Sequence, residues 1–310
     1  MSGYKYLFGP VPSRRLGASL GVSPIPERTC NQSCASCQLG RTLRMTNTRQ
    51  EFFPLEEILA EFREYLRGSI PFDVVTVVGE GEPTLYSRLG ELIAGLKKET
   101  DKPVAVITNG ALLYDAEMRR ELMEADIVLP SLDAVTEEQY RKIDRPMGSI
   151  GFAEMAEGLR QFAREYQGQL WIEIMLVDGM NDSPEDIAAF KEFLGTIDYD
   201  RVYLNTPVRP PAEGFVHTSA PEHIDLAARE LGGISIDQLT SGSFFSEVED
   251  PYEAILSIAR RHPMNQFEVE SFLEAREIPA DQRQALMERL GQDPGITVVP
   301  YKGIITYRVN

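Results

Sequence analysis

Short apolar runs alternate with amphipathic stretches through the middle of the chain, and this alternation limits the fold more than any other feature. Asp73–Val78 precedes Tyr86–Lys98, Val104–Ile107 precedes Asp115–Glu124, and Ile127–Leu132 precedes Thr136–Lys142 and Gly151–Tyr166. Leu170–Val177 then precedes Ser183–Leu194, and Arg201–Asn205 closes the series. Short β-branched strands without polar alternation are buried on both faces, the habit of parallel strands joined by helical crossovers. Ser183-Pro184-Glu185-Asp186 is a full helix start: a capping serine, a first-turn proline and acids against the positive helix end. The pattern predicts an α/β fold with a parallel sheet. Periodicity leaves open whether that sheet curls into a barrel.

In a parallel sheet the working residues gather at the carboxyl ends of the strands. Gly79-Glu80-Gly81-Glu82-Pro83-Thr84-Leu85 follows the first of the strands named above, and Thr108-Asn109-Gly110 follows the second. Ser131 and Asp133 end the third, Glu173 and Met175 share one face of the fourth, and Asn205 and Arg209 follow the fifth. Each has a plain structural reading: a turn, a loop cap, a surface ion pair. Glu173 is the hardest to dismiss. An unpaired charge in an apolar strand is destabilising, so it either meets a cation or receives a ligand.

The chemistry is concentrated in three cysteines, the full complement of the chain, at Cys30, Cys34 and Cys37. The C-x3-C-x2-C spacing lets one loop wrap one metal centre, and three thiolates leave one position of a tetrahedral or cubane centre open. A closed zinc loop would need a histidine from His217, His223 or His262, whereas zinc ligands usually come in two short paired arms. No even set of cysteines offers a disulfide framework, which fits a reducing compartment. The N-terminus lacks a signal-like apolar core, and no run approaches the roughly 20 apolar residues that span a bilayer. The expected setting is cytoplasmic, with no membrane partner.

Cys30, Cys34 and Cys37 resemble the cluster motif of the radical S-adenosylmethionine (SAM) superfamily. The resemblance implies a 4Fe–4S cluster held by these three cysteines, with SAM on the fourth iron. It also implies a partial (β/α)6 TIM-like barrel over residues 1–215, with the cysteine loop after a first strand near Ser19–Ile25. Gly81, Glu82 and Pro83 resemble the turn that receives the SAM amino group, and Asn109, Ser131 and Asp133 fall where the rest of SAM would be bound. Glu173 and Arg209 are then the candidate catalytic residues. Reductive cleavage of SAM to a 5′-deoxyadenosyl radical, fed by an external flavodoxin- or ferredoxin-class electron donor, is the implied activity. Ser36 stands where the family usually has an aromatic residue. Phe8–Gly17 and Ser131-Leu-Asp-Ala with Arg145-Pro146 are similar to the group related to tRNA wyosine synthases. Those enzymes bind a second cluster, for which this chain has no cysteines left. The substrate is therefore unnamed, a modified nucleoside or tRNA being what this likeness points to.

After a connecting segment, 216–250, which includes the helical stretch Pro221–Leu231, residues 251–310 read as helices Pro251–Arg261, Gln266–Ala275 and Ala280–Gly291. A hairpin follows, Ile296–Val299 with Ile304–Val309, turning at Pro300–Gly303. This resembles a winged-helix domain. Charge decides its use. The net charge is −17, and although residues 1–50 hold seven basic side chains against Glu27, the body of the chain is acidic. The candidate recognition helix offsets Arg283 and Arg289 with Asp281 and Glu288. Nucleic-acid binding is disfavoured, and docking to protein or capping of the barrel is preferred. A second reading is an iron–sulfur transcriptional regulator whose winged helix binds DNA.

Overall fold

The computed structural model describes residues 4–68, 70–236, 244–246, 248–301 and 303–310. Strands β1 (Leu7–Ser13) and β2 (Gly17–Val22) form an antiparallel hairpin, and β3 (Thr29–Cys30) pairs with β4 (Arg44–Met45) in the loop that follows. The main sheet continues with β5 (Val74–Val77), β6 (Val104–Thr108), β7 (Ile127–Pro130), β8 (Gln169–Met175), β9 (Arg201–Asn205) and β10 (Ile234–Ser235). Its order is β1-β2-β5-β6-β7-β8-β9-β10, and every pair from β2 onward is parallel. The sheet is thus mostly parallel, as the alternating sequence requires. It has one more parallel strand than the expected six, because β10, in the segment read as a connection, joins the edge.

Among the described residues, seven helices accompany the sheet: α1 (Leu55–Tyr65), α2 (Leu89–Glu99), α3 (Ala116–Leu122), α4 (Glu137–Ile143), α5 (Phe152–Glu165), α6 (Pro184–Leu194) and α7 (Pro221–Leu231). Val75, Val77, Val106, Val128, Ile172 and Ile174 share one core with Ile58, Phe62, Leu92, Phe162 and Phe190 of the helices. The alternate strand residues Val74, Ala105, Ile127, Leu129, Trp171 and Tyr203 join Leu16 and Ile236 on the opposite face. Arg14, in the β1–β2 turn, donates to the carbonyl of Ile236 just beyond β10. The two ends of the sheet therefore approach, curling it into a partial barrel with an apolar plug.

Helix starts follow the sequence signals. Ser183 accepts from the Asp186 amide, and the Asp186 carboxylate accepts from the Ser183 amide. Asp115 caps α3 by accepting from the Glu117 amide and Thr136 caps α4 by accepting from the Gln139 amide, so the expected helices Asp115–Glu124 and Thr136–Lys142 begin one residue later. Tyr86–Lys98 differs more: Pro83–Leu85 forms a 3-10 turn and α2 starts only at Leu89. Helix α1 was not foreseen, although Leu55, Ile58, Leu59 and Phe62 repeat with helical spacing. Nor was β1, whose Pro10 and Pro12 disguise it. Prolines are tolerated there because β1 is an edge strand.

The C-terminal unit holds α8 (Pro251–Ala259), β11 (Met264–Asn265), α9 (Gln266–Ala275), α10 (Ala280–Gln292), β12 (Ile296–Tyr301) and β13 (Ile304–Val309). Its sheet is antiparallel, in the order β11-β13-β12, so the foreseen hairpin gains a third strand. Lys302 of the expected turn, and residues 237–243 and 247 of the connecting segment, lie outside the described residues. Phe8 and Val11 of β1 enter the core formed by Tyr252, Ile258, Phe272 and Tyr307. The C-terminal unit thereby covers the open edge of the main sheet.

Candidate functional site

The cysteine loop leaves the carboxyl end of β2 and returns across the ends of its neighbours. Ala35 donates to the carbonyl of Ile143 (2.7 Å), Ser33 to that of Asp144 (3.2 Å), and Met147 to that of Asn31 (2.8 Å). The turn after β5 closes on it from the other side. Glu82 donates its amide to the carbonyl of Thr29 (3.1 Å), and a Cβ on Gly81 would lie 1.9 Å from that same oxygen. Gly81 is glycine because the two loops touch through their backbones.

Cys30, Cys34 and Cys37 are half-buried and unpaired. Burial pushes the Cys30 thiol up to about 12, with Glu82 adding to it. The Cys34 thiol is raised well above its ordinary value by burial and then by Asp144. Burial also raises Cys37, opposed by the amides of Leu39 and Gly40 and the charge of Arg308. With their pKa values raised, the three remain neutral thiols near pH 7. A cationic metal centre is what draws such groups to thiolates.

The surroundings suit that change. The amide of Gln32 points at Cys30 Sγ (3.4 Å), and Asn109 Nδ2 lies 3.6 Å from it. Asn31 is fully buried, and its Nδ2 has no hydrogen-bond partner among the described residues. Amide donors around sulfur are what an anionic thiolate cluster requires. Two of the three histidines that could complete a zinc site have other partners. Nδ1 of His223 is bound to Asp182 (3.0 Å), and His262 is packed on Arg209. Among the described residues, no three His, Cys, Asp or Glu side chains are grouped as for a single metal ion.

The other expected site residues divide. Pro83 opens the 3-10 turn, and Glu82, almost fully buried, accepts from Thr84 N (3.0 Å), Thr84 Oγ1 (2.6 Å), Thr108 Oγ1 (2.6 Å) and Asn109 N (2.8 Å). Its carboxylate ties the β5 turn to β6, and burial still raises its pKa above the usual range. Asn109 donates to Asn31 Oδ1 (2.7 Å) and so anchors the cysteine loop to β6. Ser131 bridges to Glu173 at the end of β7 and β8. Asp133 is buried, accepts from the Met175 amide (2.8 Å), and is pushed up to about 7 by desolvation. Asp144, which the sequence reading passed over, is a second buried carboxylate, 4.0 Å from Cys34 Sγ.

Glu173 has found its cation. It is ion-paired with Arg15 from the β1–β2 turn, and Asn205 Nδ2 donates to its other oxygen (3.3 Å). Burial lowers the Arg15 pKa to about 10, so its guanidinium stays charged near neutrality. Arg209 is a correction. It donates to the carbonyl of Pro263 (2.8 Å) and to Glu268 (2.9 Å), and contacts His262, so it fastens the C-terminal unit. The proline- and glycine-rich loop after β9 gave no sign of this, because the partners of Arg209 lie more than fifty positions away.

Residues 25–191 match the profile of the radical SAM superfamily, and the chain belongs to that superfamily, an enzyme family whose members bind a 4Fe–4S cluster and SAM. Among its relatives, the UPF0026 protein MJ1312 of Methanocaldococcus jannaschii is 32% identical over 98% of this chain and 95% of its own length. A protein named GTPase Obg from Brachyspira hyodysenteriae is 42% identical over 66% of this chain, which spans only 30% of that protein. Two solved structures share the fold. A radical SAM methyltransferase from Sphaerobacter thermophilus has a TM-score of 0.52 at 18% identity, covering 71% of this chain and 67% of that one. Native anSMEcpe with bound AdoMet has a TM-score of 0.52 at 17% identity, covering 69% and 59%. Among the described residues, no helix is long and apolar enough to cross a membrane.

Proposed function

We propose that Cys30, Cys34 and Cys37 hold a 4Fe–4S cluster with one iron left for SAM, and that the chain is a SAM-cleaving radical enzyme. One observation carries this reading: three half-buried, unpaired cysteines on one loop, with amide donors at Cys30 and Cys37, sit at the carboxyl edge of a parallel sheet. When bound, the cluster and SAM supply reductive cleavage to a 5′-deoxyadenosyl radical that abstracts hydrogen from a substrate. The chain's own residues do the positioning. Gln32 and Asn109 offer N–H donors to the Cys30 sulfur. Ser131 and Asp133 stand at the strand ends as polar groups for SAM. Glu173 is neutralised by Arg15 and orients Asn205 at the floor of the site, so it has no free carboxylate for general-base work.

Electrons come, in this reading, from an external flavodoxin- or ferredoxin-class protein. The helix–strand–helix–helix–hairpin order of the C-terminal unit supports a winged-helix-like domain used for docking on the barrel. Arg283 is bound to Glu274 (3.1 Å) and to the carbonyl of Ile278 (3.2 Å), so it is engaged within the unit, and exposed Arg289 stacks on Tyr252. A nucleic-acid substrate is correspondingly disfavoured, and so is the regulator. Anaerobic reconstitution should give about four irons per chain, with SAM altering the electron paramagnetic resonance (EPR) signal of the reduced cluster. The reduced protein should then release 5′-deoxyadenosine from SAM. A single bound zinc would refute the reading.

A further inference from the structure

The cysteine loop is not surrounded by barrel residues alone. Arg308, near the end of the chain on β13, reaches back to the loop after β9 and donates to the carbonyls of Pro210 and Pro211. Its other terminal nitrogen lies against Gly40: a methyl group there would be 3.5 Å from Arg308 Nη1 and 3.7 Å from Arg28 Nη1. Gly40 in turn donates its amide to the carbonyl of Cys37 (3.2 Å). Two guanidinium groups, one from each end of the sequence, therefore meet beside the third cysteine. Both also carry a buried Nε with no hydrogen-bond partner among the described residues. Unpaired cationic donors held side by side are costly unless an anion is close. Glu27 neutralises only part of the charge, through Arg28 Nη2 (3.1 Å).

Several contacts hold Arg308 in place. Tyr301 donates to the carbonyl of Pro207 (2.8 Å), Arg209 binds Glu268 and the carbonyl of Pro263, and Arg261 pairs with Glu80 (3.6 Å). The C-terminal unit thus fixes its last strand on the rim of the barrel. This unit lies wholly outside the span that matches the superfamily.

Building on the cluster assignment above, we infer that Arg308 is a positioning residue whose charge raises the reduction potential of the cluster from the Cys37 side. Adding an electron makes a thiolate-ligated cluster more negative, and a nearby fixed cation favours that more negative state. The C-terminal unit then contributes to electron acceptance without touching the reacting atoms.

The test compares the reconstituted full-length protein with Arg308→Gln and Arg308→Lys. Glutamine keeps an N–H for the Pro210 carbonyl and loses the charge, whereas lysine keeps the charge. Iron content comes first, and wild-type protein that binds no cluster would overturn the functional reading, and this inference with it. With about four irons in each protein, the midpoint potential is read by EPR-monitored redox titration. At a fixed potential the reduced-to-oxidised ratio should fall on the order of tenfold in Arg308→Gln, or about 59 mV for a one-electron couple. Arg308→Lys should recover most of the shift. Equal potentials in all three proteins would overturn the role of Arg308 and leave the cluster assignment standing. Loss of iron from both variants, with wild type loaded, would also overturn it, showing that Arg308 only holds the loop.

Discussion

Replacing Glu82 with glutamine separates two roles that its motif alone does not distinguish. As a receiver for the ammonium of SAM, the carboxylate would be needed for its charge toward a ligand. The structure gives it other partners, with three protein donors on Oε1 and the Asn109 amide on Oε2. Glutamine preserves the shape and the Oε1 side, but its NH2 group confronts the Asn109 N–H. One buried donor is left unpaired, at about 1–3 kcal/mol. Relief of the desolvated charge offsets part of that, since burial raises the Glu82 pKa. A net loss near 1–2 kcal/mol is expected. Glu82→Ala also strands the Thr84 amide and leaves a cavity, and should lose about 3–5 kcal/mol. Urea denaturation of the metal-free protein measures both, with iron incorporation as a second readout because Asn109 also holds Asn31. Unchanged stability in Glu82→Gln, together with weakened SAM binding, would refute the scaffold argument and restore the ligand role.

Alanine at any one of Cys30, Cys34 or Cys37 should abolish iron incorporation and the SAM-dependent EPR change, and a variant that keeps the full iron content would remove that residue from the ligand set. Ser131→Ala and Asp133→Ala should each weaken SAM binding by about 1–3 kcal/mol at unchanged iron content; equilibrium binding to the loaded protein checks this, and unaltered affinity in both returns them to a structural role. His262 is buried beside Arg209, and its pKa is held well below 6.5 by burial and by that charge. The unfolded chain therefore binds the extra proton first, so stability is complete above about pH 6.5 and declines as pH falls, by up to about 1.4 kcal/mol per pH unit. His262→Gln should flatten that dependence, and an identical acid profile in both proteins would contradict it.

Much of this protein was readable without coordinates. Buried β-branched runs followed by capped amphipathic helices can satisfy their backbones and bury both faces in few ways, so the parallel sheet was fixed locally. The cysteine loop was equally legible, because its three thiols lie within eight consecutive positions and the groups a short loop can offer a metal are a local property. Ser183 and Asp186 cap α6 for the same reason: each needs only its neighbours.

What remained hidden depends on long-range pairing. Whether Glu173 met a cation or a ligand was decided by Arg15, on a turn that curls under the sheet. Arg209 looked like a site residue because the sequence cannot show that Pro263 and Glu268 would come to it. That four donors hold Glu82 was hidden because two of them come from the far end of β6. The placement of Arg308 beside Cys37 joins the two ends of the chain across some 270 positions. A sequence states which groups are present and what their neighbours dictate. Which buried charges neutralise one another, and which are left for chemistry, was decided only when the sheet curled and the C-terminal unit closed over its edge.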